Sequence, residues 1–558
     1  MSHPVIAIGL DAADPNLLEL WMARGYLPNL SRLKTSGAYA RLFNTVPYNG
    51  VVTETSSTER LWTMFGTSCF PTKTGYWSPV HYHAEDYSIV HDTENGAYPY
   101  REYSPFYALS DRRVAAFDVP VAALHEDITG PQILGWGGHA PHTPSHSEPP
   151  ELFSDLEKRY GKNPVLHRDY GYWWDEGYKA RIKSAMQTSI EQKSAICREL
   201  LAQERWDLFL TVFGETHSAG HDFWFASKKD HPLYKHLADP ADDPMLTAFK
   251  RVDRAVGEIV DSAPDDAHIV VFAPHGMDNN VTDMYSMTFL PELLYRMSFG
   301  SCAIGANNAG KPLPEKPNLE PRRKTWTGEI WQQRYDASPI KRALKYVMPS
   351  KFDSFLDAGP NPAIDSPHEL RERGAALNWM PATWYRPCWS QMKAFALPAF
   401  AAGHIRINLK GREANGIVEP ADYDAVCNEV EAMLATIVDG RSRKPLVREV
   451  VRTRSPETML GTDPTLPDAD LVVIWEEVTT DVVDTADLGR IGPLTYFRSG
   501  GHRPDGFFMA SGPSIEPGTE LATGTAVDIG PSILELMQCE APEHVDGRSL
   551  LQRKASPC

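Results

Sequence analysis

Apolar runs with the length of buried strands recur along this chain. Three of them, at residues 5–10 (VIAIGL), 208–213 (LFLTVF) and 269–273 (IVVFA), contain no charged side chain. Such runs, rich in Val, Ile, Leu and Phe, predict strands that are buried on both faces, as in a parallel sheet covered by helices. Further strands are predicted at 113–118, 132–136, 405–409, 471–475 and 507–510, and amphipathic helices at 179–204 and 423–438. The pattern therefore predicts an α/β protein.

Side chains that can bind a metal ion lie beside these predicted strands. Ligands of open α/β sheets bind at the carboxyl ends of the strands, and a helix that begins after residue 213 would place an H-x-x-x-H pair on one face. These oxygen and nitrogen donors are enough for two transition-metal ions. They are Asp11 after the first run, Glu215, His217 and His221 after the second, His275 after the third, and His502 before the run at 507–510.

Two stretches admit a simple structural explanation as well as a functional one. Asp11 precedes a predicted helix that begins at Asp14-Pro15, so it is either a turn residue or a metal ligand. The segment 51–77 is rich in Ser and Thr, which either cap a helix or supply a nucleophilic hydroxyl at a helix N-terminus, where backbone N–H groups favour an anion. The residues alone do not choose among these hydroxyls. A loop with His139, His142 and His146 is more typical of solvated histidines than of another metal site.

Composition narrows the class of function. The chain has 558 residues, 42% of them hydrophobic, and its formal net charge of −18 disfavours a broad surface for nucleic acid or acidic membrane. A small anionic substrate can still be held by local cations and metal. No signal peptide, membrane span or C-x-x-C motif is visible, and the seven cysteines are scattered, so a cytoplasmic protein with reduced thiols is expected.

The candidate ligands extend from residue 11 to residue 502, which predicts one domain over residues 1–558. Within it, residues 300–385 change in composition towards Pro, Gly, Lys, Arg and Trp, with little periodicity. We interpret this stretch as an inserted cap that shapes a substrate pocket. Its aromatic side chains could stack on an aromatic leaving group, although a role in the core of the cap is favoured.

Several motifs resemble those of the alkaline phosphatase superfamily, in the branch of type I phosphodiesterases and nucleotide pyrophosphatases. The resemblance covers both ends and the middle of the chain. The motifs are Gly9-Leu10-Asp11, Thr58 with Trp62 four residues on, the stretch 67–75, the pair His217 and His221, residues 274–277 (PHGM), residues 500–506 around His502, and the segments 408–418, 528–529 and 545–550. Ser68, Thr74, His217 and Pro274 stand where the family usually has Gly, His, Asp and Asp.

The resemblance implies a three-layer sandwich, with a large, mostly parallel central sheet, helices on both faces and an inserted cap. It also implies two divalent metal ions, usually zinc, with manganese, iron and magnesium as alternatives. One ion would be held by His217 (or Glu215), His221 and His502, and the other by Asp11, His275 and the Thr58 oxygen. Because Pro274 has no side-chain donor, one of these sites lacks an acid that the family usually has.

The implied activity is metal-dependent hydrolysis of a small phosphate ester, which is a phosphodiester, a pyrophosphate or a phosphomonoester, and hydrolysis of a phosphonate stays open. Thr58 would be the nucleophile that forms a covalent phospho-enzyme, with Ser57 as second choice. Arg60, Lys73 and Arg503 are candidates for contact with the anionic substrate, although a salt bridge is the favoured role for each. The alternatives are a non-catalytic or single-metal member that acts as a binding protein, and a phosphomutase. The sequence leaves open whether the protein forms a homo-oligomer.

Overall fold

The structure is a computed structural model, and it describes residues 3–91, 98–137, 144–166, 170–305, 310–336, 338–348, 364–461 and 463–552. His139, His142 and parts of the segment 300–385 lie outside these ranges. Among the described residues, no helix is both long enough and apolar enough to cross a membrane.

The strands of the described residues are two to seven residues long. In chain order they are β1 Val5–Leu10, β2 Gly37–Phe43, β3 Thr45–Tyr48, β4 Val51–Glu54, β5 Val80–His83, β6 Ser88–His91, β7 Val114–Phe117, β8 Gln132–Leu134, β9 His146–Glu148, β10 Leu208–Phe213, β11 His268–Ala273, β12 Gly276–Asn279, β13 Ala394–Leu397, β14 Gly403–Ile407, β15 Val438–Asp439, β16 Val447–Arg452, β17 Leu471–Trp475, β18 Val483–Thr485, β19 Gly489–Ile491, β20 Gly500–Arg503, β21 Asp505–Ser511 and β22 Thr519–Glu520.

The helices alternate with these strands. In chain order they are α1 Pro15–Ala23, α2 Pro28–Thr35, α3 Thr58–Thr67, α4 Pro71–Thr74, α5 Pro150–Tyr160, α6 Glu176–Gln203, α7 Glu215–Ser227, α8 Tyr234–Leu237, α9 Pro244–Val260, α10 Leu290–Phe299, α11 Trp326–Gln332, α12 Pro339–Val347, α13 Pro367–Glu372, α14 Pro381–Trp384, α15 Tyr423–Leu434 and α16 Ile529–Leu536. A π-helical turn, Tyr285–Phe289, precedes α10.

A nine-stranded sheet has the order β22-β2-β21-β11-β1-β10-β7-β8-β9. The five strands from β11 to β8 run parallel to one another, while β21 and β9 are antiparallel to their neighbours. The register pairs Leu10 with Phe213 and Gly9 with Phe272, so β1, β10 and β11 end at the same level. This sheet confirms the predicted mostly parallel α/β architecture.

Both faces of this sheet are covered, which explains why its strands are continuous apolar runs. On β1, Ile6 and Ile8 contact the core beneath helices such as α6 and α9, whereas Val5 and Ala7 contact the opposite core with Trp62 of α3. Side chains alternate between the two faces of a strand, so a strand covered on both sides needs apolar residues at every position. The three-layer prediction is thereby confirmed.

The predicted helices form with small changes at their ends. Asp14 caps α1 by accepting a hydrogen bond from the Leu17 N–H at 2.8 Å, and Pro15 occupies the first helical position. The helix predicted at 423–438 ends at Leu434, because Val438 pairs with Asp484 in the antiparallel β15–β18 ladder. Tertiary pairing has here overridden a local helical pattern.

A second, four-stranded antiparallel sheet has the order β13-β14-β17-β16. Trp326, Trp331 and Trp384 pack into the same core as Phe395 of β13 and Ile405 of β14. These three tryptophans of the predicted cap are therefore buried in the core of this second sheet, whereas Tyr335 of the same segment is exposed. Their burial agrees with a core role for these rings.

A buried ion-pair network ties α6 to the central sheet. The Lys193 ammonium donates to Asp118 and to the Val212 carbonyl, both at 2.6 Å, and it lies 3.7 Å from a Glu215 carboxylate oxygen. Burial by itself lowers the pKa of Lys193, but the adjacent carboxylates Asp118 and Glu215 outweigh it and raise that pKa. Removing one member of such a network leaves a buried charge without its partner.

We predict that Lys193→Met lowers the free energy of unfolding by about 3–5 kcal/mol, because Asp118 and Glu215 would lose their counter-ion. Urea denaturation measures this change. Lys183→Met on the same helix is the matched control, since Lys183 pairs with Asp242 at the surface, where ion pairs contribute about 0–1 kcal/mol. Equal losses in the two variants would contradict the network's role.

Candidate metal centre and active site

The aligned ends of the central strands bring the predicted donors together. Asp11 follows β1, His217 and His221 lie on α7 directly after β10, and His275 follows β11. His502 lies on β20, which pairs with β12 so that His502 is opposite Met277. These five side chains are buried, and they meet although they come from distant parts of the chain.

The Asp11 carboxylate is the centre of a set of polar contacts. Its oxygens lie 2.8 Å from Trp62 Nε1, 2.9 Å from His217 Nδ1 and 3.2 Å from His275 Nε2. Burial alone raises the pKa of a carboxyl group, but the neighbouring His217 and His275 outweigh it and hold the pKa of Asp11 well below its usual range. Asp11 is therefore an ionised, buried carboxylate.

Two imidazoles have their ring orientation fixed by acceptors on the far side. His217 Nδ1 faces the Asp11 carboxylate at 2.9 Å, and His221 Nδ1 faces the Gly500 carbonyl at 2.8 Å. Each Nδ1 thus carries a proton, and in the neutral ring Nε2 keeps its lone pair. The two Nε2 atoms lie only 2.8 Å apart. Two lone pairs at this distance repel unless a proton or a metal ion lies between them, and the surrounding donors suit a metal ion.

Two groups of side chains have donor atoms within 4.8 Å of one another. One consists of His217, His221 and His502, and the other of Asp11, His217 and His275. Nitrogen and carboxylate donors of this kind suit zinc and related transition metals. His217 belongs to both groups, and a neutral imidazole offers one lone pair, so it can serve as ligand in only one group at a time.

Thr58 is the first residue of α3 and is buried beside this cluster. Its hydroxyl oxygen lies 3.2 Å from His502 Nε2 and 3.3 Å from His502 Nδ1. The first intrahelical bond runs from the Leu61 N–H to the Ser57 carbonyl, so the N–H groups of residues 58–60 precede the helical bonding pattern. The hydroxyl of the preceding residue, Ser57, donates a hydrogen bond to a Glu59 carboxylate oxygen at 3.1 Å.

Glu215 is the predicted ligand that the structure does not bring into either donor group. One of its oxygens accepts a hydrogen bond from the Ser189 hydroxyl, and the other lies 3.7 Å from Lys193 Nζ. As the first residue of α7 it is directed towards α6, while His217 and His221 of the same helix face Asp11 and His502. Sequence spacing did not separate these directions, because a helical turn spreads neighbouring residues around its axis.

The three cations predicted to contact substrate have different surroundings. Arg60 donates to the Trp77 carbonyl and to the hydroxyls of Tyr48 and Thr55 at 2.5–2.9 Å, so it supports the local fold. Lys73 donates to the His544 carbonyl and pairs with Asp546. Arg503 donates to the Asn279 carbonyl at 3.1 Å, and its Nε lies 3.7 Å from a Glu477 carboxylate oxygen, an ion pair that is too long for a hydrogen bond.

A narrow cavity of about 40 Å³, called the cleft below, opens beside this cluster. Its walls include Ser57, Arg503 and His502. They also include His404 of β14 and Phe400 of the loop between β13 and β14. None of the described residues of 300–385 lines the cleft. Sequence patterns did not single out His404, since a histidine in an apolar strand carries no signal of its own.

A comparison with models of known protein families matches residues 5–325 to the type I phosphodiesterase / nucleotide pyrophosphatase family. This match covers more than half of the chain and includes four of the five clustered side chains. The protein belongs to this family. The predicted relationship is thus confirmed, and the protein is an enzyme of a family of phosphoric ester hydrolases.

Among solved structures, the similar chains are distant. Phosphonoacetate hydrolase from Sinorhizobium meliloti 1021, solved with phosphonoformate and with phosphonoacetate, is 12% and 13% identical, with 96% of each chain covered and a TM-score of 0.44. Murine ectonucleotide pyrophosphatase/phosphodiesterase 5 is 10% identical, with 97% of this chain and 96% of the other covered and a TM-score of 0.46. No curated protein matches the sequence.

We predict that Trp62→Phe weakens divalent-metal affinity by about 10–100-fold, because it removes the N–H group that orients the Asp11 carboxylate. Competition with a chromophoric chelator measures this affinity. Trp136→Phe is the matched control, since the buried Trp136 N–H has no hydrogen-bond partner among the described residues. An unchanged affinity in Trp62→Phe would show that the indole does not support a metal site.

Proposed function

We propose that this protein is a metal-dependent hydrolase of phosphate esters, with Thr58 as nucleophile and a covalent phospho-enzyme intermediate. The observation that carries the proposal is the position of Thr58. Its hydroxyl lies at the start of α3, 3.2 Å from His502, which is itself part of a metal-donor group. A nucleophile next to cations and to helical N–H groups is suited to attack a phosphate.

The residues that would hold metal are those of the two donor groups. His217, His221 and His502 would hold one ion, and Asp11 and His275, with the Thr58 oxygen, would hold a second. A bound divalent ion polarises the phosphoryl oxygens and lowers the pKa of a hydroxyl nucleophile. Zinc suits these ligands best, and manganese, iron and magnesium are alternatives.

The chain's own groups then account for substrate orientation. The N–H groups at the start of α3 and the N–H donors of Arg503 favour an anionic phosphoryl group beside Thr58. Attack by the Thr58 oxygen on phosphorus forms the phosphothreonine bond as the bond to the leaving oxygen breaks, and the hydroxyl proton of Thr58 ends on the departing oxygen. Attack by water then releases phosphate, or a phosphate monoester from a diester, and restores the hydroxyl.

One observation favours a single-ion variant of this enzyme. The cluster contains one carboxylate, Asp11, because His217 stands where the family usually has Asp and Pro274 supplies no side-chain donor. His217 is also shared between the two groups. Two divalent ions would carry four positive charges, whereas these ligands supply the negative charge of one carboxylate. The free energy of binding the second ion is therefore less favourable.

We also propose that the whole chain acts as one catalytic domain. The second sheet contributes His404 and Trp475 to the cleft, and its core includes Trp326, Trp331 and Trp384 from 300–385. In this proposal the inserted segment shapes the substrate site through the sheet that it supports.

We predict that Thr58→Ala lowers the rate of phosphate-ester hydrolysis by about 10³-fold or more, because the attacking oxygen is removed. The assay uses p-nitrophenyl phosphate and bis-p-nitrophenyl phosphate, followed by nitrophenolate release. Ser57→Ala is the matched control, since Ser57 precedes Thr58 and its hydroxyl bonds Glu59 instead. A Thr58→Ala variant as active as the wild type would refute the nucleophile assignment.

Elemental analysis of the purified protein tests the metal proposal. We expect about two ions per chain, with about one remaining in each of the variants His221→Ala and His275→Ala. About one ion in the wild type, kept in His275→Ala and lost in His221→Ala, would establish the single-ion enzyme. A folded wild-type protein with no metal and no turnover would refute the proposed function.

A further inference from the structure

A second, larger cavity adjoins the cleft. It has a volume of about 440 Å³, within the range of ligand-binding pockets. Trp77, Ser78 and His404 line both cavities, so the two are neighbours across these three side chains. We call the larger one the distal cavity. Its walls come from the β5–β6 hairpin, the strands β13 and β14, and the loop between β16 and β17.

Two residues of the distal cavity wall carry a buried hydrogen-bond donor that has no partner among the described residues. The Tyr82 hydroxyl and the Arg454 Nε have none among the described residues, although Tyr82 is only 8% exposed and Arg454 only 6%. Leaving a buried polar group unpaired costs about 1–3 kcal/mol, and more for a charged one. Such groups in a cavity wall indicate a ligand that would satisfy them.

Arg454 differs from the other two arginines that line this cavity. Arg406 pairs with Glu413 at 2.6 Å, and Arg412 pairs with Asp470 at 2.7 Å. Arg454 donates through Nη1 to the Ala469 carbonyl at 2.8 Å, and it forms no ion pair with the described residues. Burial lowers the pKa of Arg454, with Arg406 and Arg412 acting in the same direction and Asp470 opposing them.

Acidic groups also lie in the wall, but two of them already have donors. Asp468 accepts from the Tyr82 backbone N–H at 3.0 Å, and Asp463 accepts from the N–H and hydroxyl of Thr465 at 2.8 and 2.7 Å. Glu85 is the other carboxylate of the lining. The Tyr82 hydroxyl stays protonated because burial raises its pKa, so it remains available as a donor.

We propose that the distal cavity binds a second anionic group of the substrate, a carboxylate or phosphate remote from the reacting phosphoryl group, through Arg454 and Tyr82. The inference rests on the proposed function, because it places the reacting phosphoryl group beside Thr58. It identifies the substrate class as bifunctional anions, in which a neutral body separates the two charged ends.

The boundary that the two cavities share suits a neutral body. Burial, with Arg60 acting in the same direction, lowers the pKa of His404 to about 3, so this imidazole is uncharged at neutral pH. Trp77 provides an aromatic surface on the same boundary. Binding energy gained at the distal group can then orient the phosphoryl group for attack.

Calorimetric titration with non-hydrolysable phosphonates tests this inference. The probes are para-carboxybenzylphosphonate and its longer carboxybiphenyl homologue, each compared with the carboxamide that replaces the carboxylate. The metal-loaded wild type should bind at least one carboxylate probe about tenfold or more tightly than its carboxamide, as a charge-assisted hydrogen bond predicts. Because the carbon–phosphorus bond is not cleaved, this ratio does not depend on turnover.

The variants assign the preference to named side chains. Arg454→Gln should bring the ratio to about one, and Tyr82→Phe should reduce it by severalfold, because each removes a donor to the distal anion. Arg32→Gln is the control, since Arg32 is an exposed arginine outside the cavity lining. Thermal denaturation shows whether each variant folds. If Arg454→Gln does not fold, Arg454→Lys, which keeps the charge, takes its place. A carboxylate-to-carboxamide affinity ratio below that of the wild type is then expected.

Two results would overturn the inference while leaving the proposed function intact. The first is equal affinity for the carboxylate and carboxamide probes at both lengths. The second is an affinity ratio that does not change in the Arg454 variants. Either result counts in this way when the wild type hydrolyses bis-p-nitrophenyl phosphate. If no phosphonate binds and the wild type also lacks hydrolytic activity, the proposed function fails and the distal-site inference fails with it.

Discussion

The structure depends on one buried carboxylate, that of Asp11. It accepts a hydrogen bond from Trp62 of α3, faces His217 of α7, and lies beside His275, which follows β11. A charge can remain in such a place only if its neighbours compensate for the lost hydration. The groups that do so come from both faces of the sheet, so the stability of the core and the geometry of the site share the same contacts.

The parallel pairing of β10, β1 and β11 makes this meeting possible. Parallel strands present all their carboxyl ends at one edge, and the register aligns Leu10 with Phe213 and Gly9 with Phe272. Close approach is needed as well. A Cβ atom on Gly500 would lie 2.4 Å from the Gly220 carbonyl oxygen, so the strand that carries His502 can approach α7 only with glycine at that position.

The donor cluster is poor in negative charge. It contains four imidazoles and one carboxylate, and the His217 ring belongs to both donor groups. The acidic group closest in sequence, Glu215, is held by Ser189 and Lys193 on α6. This neighbouring acid therefore adds no negative charge to the cluster, because the helix directs it away.

Much of the fold could be predicted from sequence because the signals are local. Continuous apolar runs marked the buried strands, Asp14-Pro15 marked the start of α1, and the i, i+4 spacing placed His217 and His221 on one face of a helix. Motif spacing also selected Thr58, which lies at the first residue of α3. The assignment of these residues to catalysis and metal binding remains a prediction.

Only the tertiary structure decided which donors converge and which do not. Contacts between residues far apart in the chain exclude Glu215 from the donor groups and place His217 in both of them. Such contacts also join Trp62 to Asp11, and they end α15 early because Val438 pairs with another strand. The wall shared by the cleft and the distal cavity also depends on such contacts, because Trp77 and His404 contribute to it from distant parts of the sequence. Periodicity and capping report the preferences of a few neighbouring residues, whereas these contacts are set by sheet register and by the packing of one layer on another.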